Sequence, residues 1–191
     1  MSSASPRLPK LDPATLDARQ REVYDAIAGG PRARGPQLFT LVDPEGRLEG
    51  PFNAFLLQPE IGISLQELGS AVRYRTSLSD RAREIAILVV AAHHDSDFER
   101  YAHEAVGRHA GLSDEELLAV RELRLDAFTE HEGTVARVTH ALCAEGDLDD
   151  AAYADAVAAL GTPGLFELLT LVGYYATLAL QLRVFRVATP H

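Results

Sequence analysis

Residues 83–111, REIAILVVAAHHDSDFERYAHEAVGRHAG, gather the side chains of this chain best suited to proton transfer. Glu84 stands at the head of a long apolar run, and a carboxylate turned into an apolar bundle needs a cation or donor beside it. Ser96, Glu99 and His103 recur at i, i+3 and i+7. On a helix they share one face, with Glu99 and His103 one turn apart. A histidine on an adjoining helix would meet the need of Glu84, and a Glu–His pair moves protons near neutral pH. Each element also has a structural reading. Ser96-Asp97-Phe98-Glu99 matches a capping box, Glu84 could face solvent, and His93-His94 could be a polar helix end. A second chemistry is open too. The i, i+4 spacing of Glu99 and His103, with His93, His94 and Asp97 nearby, would let side chains reach one metal ion.

The elements that must hold these residues are helical. Asp12-Pro13 predicts a helix start, the helix running to about residue 28 and stopping at Gly29-Gly30. Residues 31–50 are irregular, with a short strand expected at 38–42 and a turn at 43–46. A short helix follows at 52–57, closed by Pro59. Ile63, Leu65, Leu68 and Val72 keep a 3.6 period over 61–75. Ser79 caps a helix to about residue 94 whose run 85–92 is apolar nearly all round, so it belongs at the centre of the core. Helices at 97–110 and after the Ser113-Asp114-Glu115-Glu116 capping box follow, then 128–145, 149–160 and 163–187. The segments near 78 and 160 echo one another, as a duplicated helical unit or two generic buried helices would.

The expected fold is therefore all-α, a compact helical bundle in one domain over 12–191, with residues 1–11 disordered or extended. At 191 residues the chain can bury roughly 70% of its unfolded surface. Its net charge of −10 argues against a nucleic-acid partner, since phosphate binding needs a concentrated positive surface. Cys143 is the sole cysteine, so no intrachain disulfide or Cys-x-x-Cys pair exists, and a reducing, cytoplasmic setting is the simplest expectation. The first eleven residues lack the apolar segment of a secretory signal. The apolar stretch 168–180 has 13 residues, too few to span a bilayer, and reads as a buried core helix; no membrane partner is expected.

The order Glu84, eleven residues, Ser96, two residues, Glu99, three residues, His103 resembles the Glu…Cys-x-x-Cys-x-x-x-His pattern of alkylhydroperoxidase D proteins, with both cysteines replaced. Arg83-Glu84-Ile85, Tyr101-Ala102-His103-Glu104, Ala110-Gly111-Leu112, Gly50-Pro51-Phe52-Asn53 and Gly173-Tyr174-Tyr175 are similar to the non-thiol branch of the carboxymuconolactone decarboxylase family. The similarity spans about residues 12–188. It implies an alkylhydroperoxidase D-like bundle, a homo-oligomer (dimer, trimer or hexamer), and a cofactor-free lyase or isomerase acting on a small lactone or carbonyl acid. Serine and glutamate cannot cycle through sulfenic acid and disulfide, so a thiol peroxidase is not expected. In such a lyase His103 would deliver the proton, with Glu84 or Glu99 orienting it. Tyr101 or Ser96 would supply donors, and Arg83 or Arg100 would hold a substrate carboxylate. Asn53 or Tyr174-Tyr175 would join from elsewhere in a site shared between subunits. Neither metal nor other cofactor is expected. A metal-dependent enzyme using Glu99 and His103, and a non-catalytic oligomeric binding protein, are the alternatives.

Overall fold

Ten consecutive residues, Ala82 to Ala91, are buried in a single helix, and the rest of the molecule is arranged around it. The structure is a computed structural model that describes residues 5–190. Asp12 caps only a 3-10 turn, Pro13–Thr15; the first helix, α1 (Ala18–Ala28), starts afresh at Asp17, which forms a capping box with Gln20. The single helix expected from residue 12 is thus interrupted, because Asp17 and Gln20 make the better start. A short α2 (Pro31–Arg34) and α3 (Pro51–Phe55) follow. Pro59 opens α4 (Pro59–Tyr74) at its first turn, where its missing N–H costs nothing.

Next come α5 (Asp80–His93), α6 (Asp97–His109), α7 (Asp114–Arg121), α8 (Glu130–Glu145) and α9 (Asp150–Phe185). Helix α9 bends at Gly161, whose φ of 68° is non-helical, two residues before Pro163. The two helices expected at 149–160 and 163–187 are its two halves. Helix α5 is packed by α6, α7, α8 and α9, while α1 and α3 pack on α4 and α4 reaches α9. Arg81 ties three of these together, bonding Glu116 of α7 at 2.6 Å and Glu132 of α8 at 2.8 Å. Full burial of Ile85, Ile87, Val89 and Val90 contributes about 1.5–3 kcal/mol each, which explains why the apolar run takes the centre.

Among the described residues no strand forms. The one expected at 38–42 reduces to an isolated bridge between Val42 and Leu48. Residues 5–11 run without helix along the surface, pinned by Arg7 N–H to the Phe185 carbonyl and by Asn53. The apolar stretch 168–180 lies inside a helix of 36 residues, which by length and composition could cross a membrane. One of its faces nonetheless packs inward, through Leu168, Leu171, Tyr174, Tyr175 and Leu178.

Candidate functional site

The hairpin of α5 and α6 turns at Asp95, which takes a left-handed φ of 50° and lets α6 fold back along α5. That return brings Glu84 opposite His103, 19 residues later in the chain. The Glu84 side chain is fully buried, with 0% exposure. His103 Nδ1 donates to Glu84 Oε2 at 2.6 Å. The solvent-facing alternative for Glu84 is excluded, and the pair anticipated from the sequence is in contact. Burial pushes the Glu84 carboxyl up, but the charge and hydrogen bond of His103, then Arg73 and Arg83, outweigh it and hold the group below the ordinary carboxylate range. An ionised carboxylate only accepts, so it fixes the proton on Nδ1 and leaves Nε2 as the reactive nitrogen.

Glu99 sits on that second side, its Oε2 3.5 Å from Nε2 of His103. The ring of Tyr175 meets His103 edge-on, centroids 5.1 Å apart, and its phenol is pushed well up by burial and stays a neutral donor. His103, Glu99, Tyr174, Tyr175, Arg73 and Phe39 line one cavity of about 20 Å³. That is room for a single water. A larger groove, about 750 Å³, lies against the N-terminal segment and shares no lining residue with this cavity, so it is separate from His103.

Of the other residues singled out in the sequence, Ser96 is buried beside the turn but does not line the cavity. It is also no capping box: its Oγ makes no hydrogen bond, and Glu99 is turned inward toward His103 rather than back to the cap. Arg83 reaches Asp80 at 2.7 Å, and its Nε lies 3.7 Å from Glu84 Oε1. Arg100 faces the opposite way and pairs with Asp97 at 2.9 Å and Asp95 at 3.2 Å, so it is not a substrate clamp for this cavity. Tyr101 points its hydroxyl at Thr40, 3.4 Å away, outside the cavity. Asn53 is a strap for the N-terminal segment, accepting from Leu11 N–H at 2.9 Å and donating to the Pro9 carbonyl at 3.1 Å. His93 and Asp97 are exposed and do not converge on Glu99. Among the described residues no group of three or more His, Cys, Asp or Glu is arranged to hold a metal ion.

Two cavity residues escaped sequence reasoning. Arg73 ends α4 as any dipole-matched cation would, and Phe39 sits in an irregular stretch; only tertiary packing brings them to His103.

Residues 59–141 match the carboxymuconolactone decarboxylase family, which bears out the resemblance over a narrower span than 12–188. Arg73, Glu84, Ser96, Glu99 and His103 all fall inside that span. No curated protein matches. Among solved structures the fold extends over nearly the whole chain. A peroxidase-related protein from Ralstonia eutropha with an alkylhydroperoxidase AhpD core superposes with a TM-score of 0.78 at 13% identity, over 98% of this chain and 94% of that one. A debrominase, crystallised as a cysteine-to-alanine variant with 2,3,4-tribromopyrrole, gives 0.72 at 10% identity, over 99% and 94%. A protein of unknown function from Agrobacterium tumefaciens, assigned to antioxidant defence as AhpD, gives 0.66 at 20% identity, over 73% and 97%. These likenesses establish the alkylhydroperoxidase D-like all-α fold.

Proposed function

We propose that this chain, whose residues 59–141 match the carboxymuconolactone decarboxylase family, is a cofactor-independent acid–base enzyme acting on a small carbonyl or lactone acid. The observation that carries the reading is the buried 2.6 Å bond between Glu84 and His103, at the wall of a small cavity. In loss of carbon dioxide, the electrons of the breaking C–C bond move into the carbonyl and form an enolate. The neutral Tyr175 hydroxyl and the charged Arg73 are the groups on hand to stabilise it. Nε2–H of His103 then delivers its proton to carbon, and Glu99 returns a proton to the ring from solvent. Run without carbon loss, the same relay shifts a double bond or isomerises a lactone.

Thiol chemistry has no support here. Cys143 is the sole cysteine, it sits half-buried in α8, and burial pushes its thiol up to about 11, so it is neither a thiolate nor paired.

The test is made in D2O, with β-keto acids and unsaturated lactones followed by proton NMR for loss of carbon dioxide or entry of deuterium at carbon. Replacing His103 by Gln should lower turnover roughly 10²–10⁴-fold, the usual worth of a positioned acid or base. Equal turnover by wild type and H103Q would overturn the proposal. Binding of these compounds with no turnover in either protein would instead favour a non-catalytic scaffold.

A further inference from the structure

The His103 cavity cannot admit a substrate as it stands, since about 20 Å³ holds one water. Beside it lies a pocket of about 400 Å³, within the range of small-molecule sites. Two side chains, Phe39 and Arg73, line both volumes and so form the wall between them. Phe39 belongs to an irregular segment held by few backbone bonds, Leu38 N–H to Pro36 and Glu49 N–H to Leu41. Its ring is half-buried, so swinging it aside disrupts no helix.

The pocket is basic where it meets this wall. Arg73 bonds its neighbour Tyr74 and feels the charge of Glu84, but among the described residues no carboxylate lies within ion-pair distance of it. Arg83 also lines the pocket. It is nine-tenths buried, and its Nε has no hydrogen-bond partner. Asp80, an exposed carboxylate at the rim, occupies only its Nη2. Glu84 Oε1, at 3.7 Å from that Nε, pairs with its charge but is too far to accept a hydrogen bond, and an anion supplied from outside would provide the missing acceptor. Inside the cavity Glu99 is the lining carboxylate, beside His103, while Glu84 lies behind the imidazole ring. A carboxylate is held best on the pocket side of the wall, where Arg73 and Arg83 meet and Glu99 does not reach.

Resting on the acid–base reading above, we propose that this pocket is the anion subsite and antechamber of the His103 cavity. Arg73 and Arg83 hold a substrate carboxylate, and the reacting end passes Phe39 to reach His103. The substrate class is a small organic acid that carries a carboxylate spaced from the reacting carbon, so that the arginines hold this group while the reacting end meets His103.

The test needs no turnover. The whole protein is titrated with benzoate and with its neutral isostere benzamide. Arg73→Gln should weaken benzoate about tenfold or more, the loss of a charge-assisted contact. Arg73→Lys should keep much of the affinity, and benzamide should bind all three proteins alike. In parallel, carbethoxylation by diethyl pyrocarbonate is read at His103 by mass spectrometry. Phe39→Ala should speed it several-fold and bound benzoate should slow it, while His140, half-buried on α8, keeps its wild-type rate as a check on folding. Benzoate affinity unchanged by Arg73→Gln, or His103 reactivity unchanged by Phe39→Ala, would overturn the proposal. An inert His103 in the turnover assay would strike the acid–base reading alone.

Discussion

His103 makes the stability of this fold depend on pH through its partner Glu84. Its hydrogen bond and charge hold Glu84 below the usual carboxylate range against burial. A carboxyl depressed in the folded state stabilises fully above its unfolded value, about 4.3, and loses that contribution as pH falls through the folded value. Replacing His103 by Gln leaves a fully buried carboxylate with burial less opposed, so its value should rise above that of the unfolded chain. The Glu84 penalty is then greatest near neutrality and is relieved as acid protonates the group. H103Q should therefore cost about 3–5 kcal/mol at pH 7, the usual loss on breaking a buried pair. The gap between wild type and variant should narrow steadily toward pH 4. Urea denaturation of both proteins across that range checks it. A constant or widening gap would show that Glu84 is not held by His103.

Two serines show how far local pattern reaches at the level of the helix. Ser113 and Glu116 make the capping box their spacing predicts, with Ser113 Oγ accepting from Glu116 N–H at 3.2 Å. Ser96 and Glu99 have the same spacing and do not, because Glu99 is claimed by His103 one turn on. Ser113→Ala should accordingly cost about 1 kcal/mol. Ser96→Ala should be neutral or slightly stabilising, since it removes a buried hydroxyl that has no partner. Thermal or urea unfolding of both variants checks the contrast, and equal losses would return Ser96 to the role of cap. The same logic marks what was legible. An apolar run with one acid at its head announced α5 and Glu84, and a fixed spacing placed Glu99 and His103 on one face of α6. Arg100 and Tyr101 occupy other faces of the same helix, because neighbours in sequence are turned about 100° apart, and so they miss the cavity that His103 lines. Leu38 to Val42 looked like a strand because it is apolar. Its apolarity instead serves the cavity wall and the core, which only the meeting of distant elements creates. Gly50 is of that kind as well. Its φ is 60°, and a β-carbon there would collide with the Phe98 ring of α6, a constraint invisible in a loop read alone.

Seen as a whole, the molecule keeps one helix incompletely covered. The outer face of α9 exposes Phe166 (70%), Leu169, Leu180 (62%) and Val184, a stripe about 27 Å long at 1.5 Å per residue. Phe166, Gly173 and Leu180 are seven residues apart, and Leu169 and Thr177 lie four to either side of Gly173. A β-carbon on Gly173 would meet nothing within 4 Å. The stripe is thus roughly symmetric about a bare point, and a second copy crossing there by a twofold axis would set Phe166 against the partner's Leu180 and the reverse. Of the charges in its span, Glu167 is already bonded to Ser77 at 2.7 Å and the exposed Arg183 stands at the far end, so copies with a net charge of −10 could meet along a seam uncharged at its middle. We propose such a homodimer, which also buttresses Tyr174 and Tyr175 from behind. Gly173→Leu is the discriminating change. It should leave the monomer intact or stabilise α9 by up to about 1 kcal/mol, because leucine outranks glycine in a helix. In the dimer the same side chain would wedge the crossing apart. Sedimentation equilibrium should give a dimer for wild type and a monomer for both Gly173→Leu and Leu180→Glu, with helical circular dichroism retained. A monomeric wild type, a dimeric Gly173→Leu variant, or partition of wild type onto phosphatidylcholine vesicles would reassign the stripe.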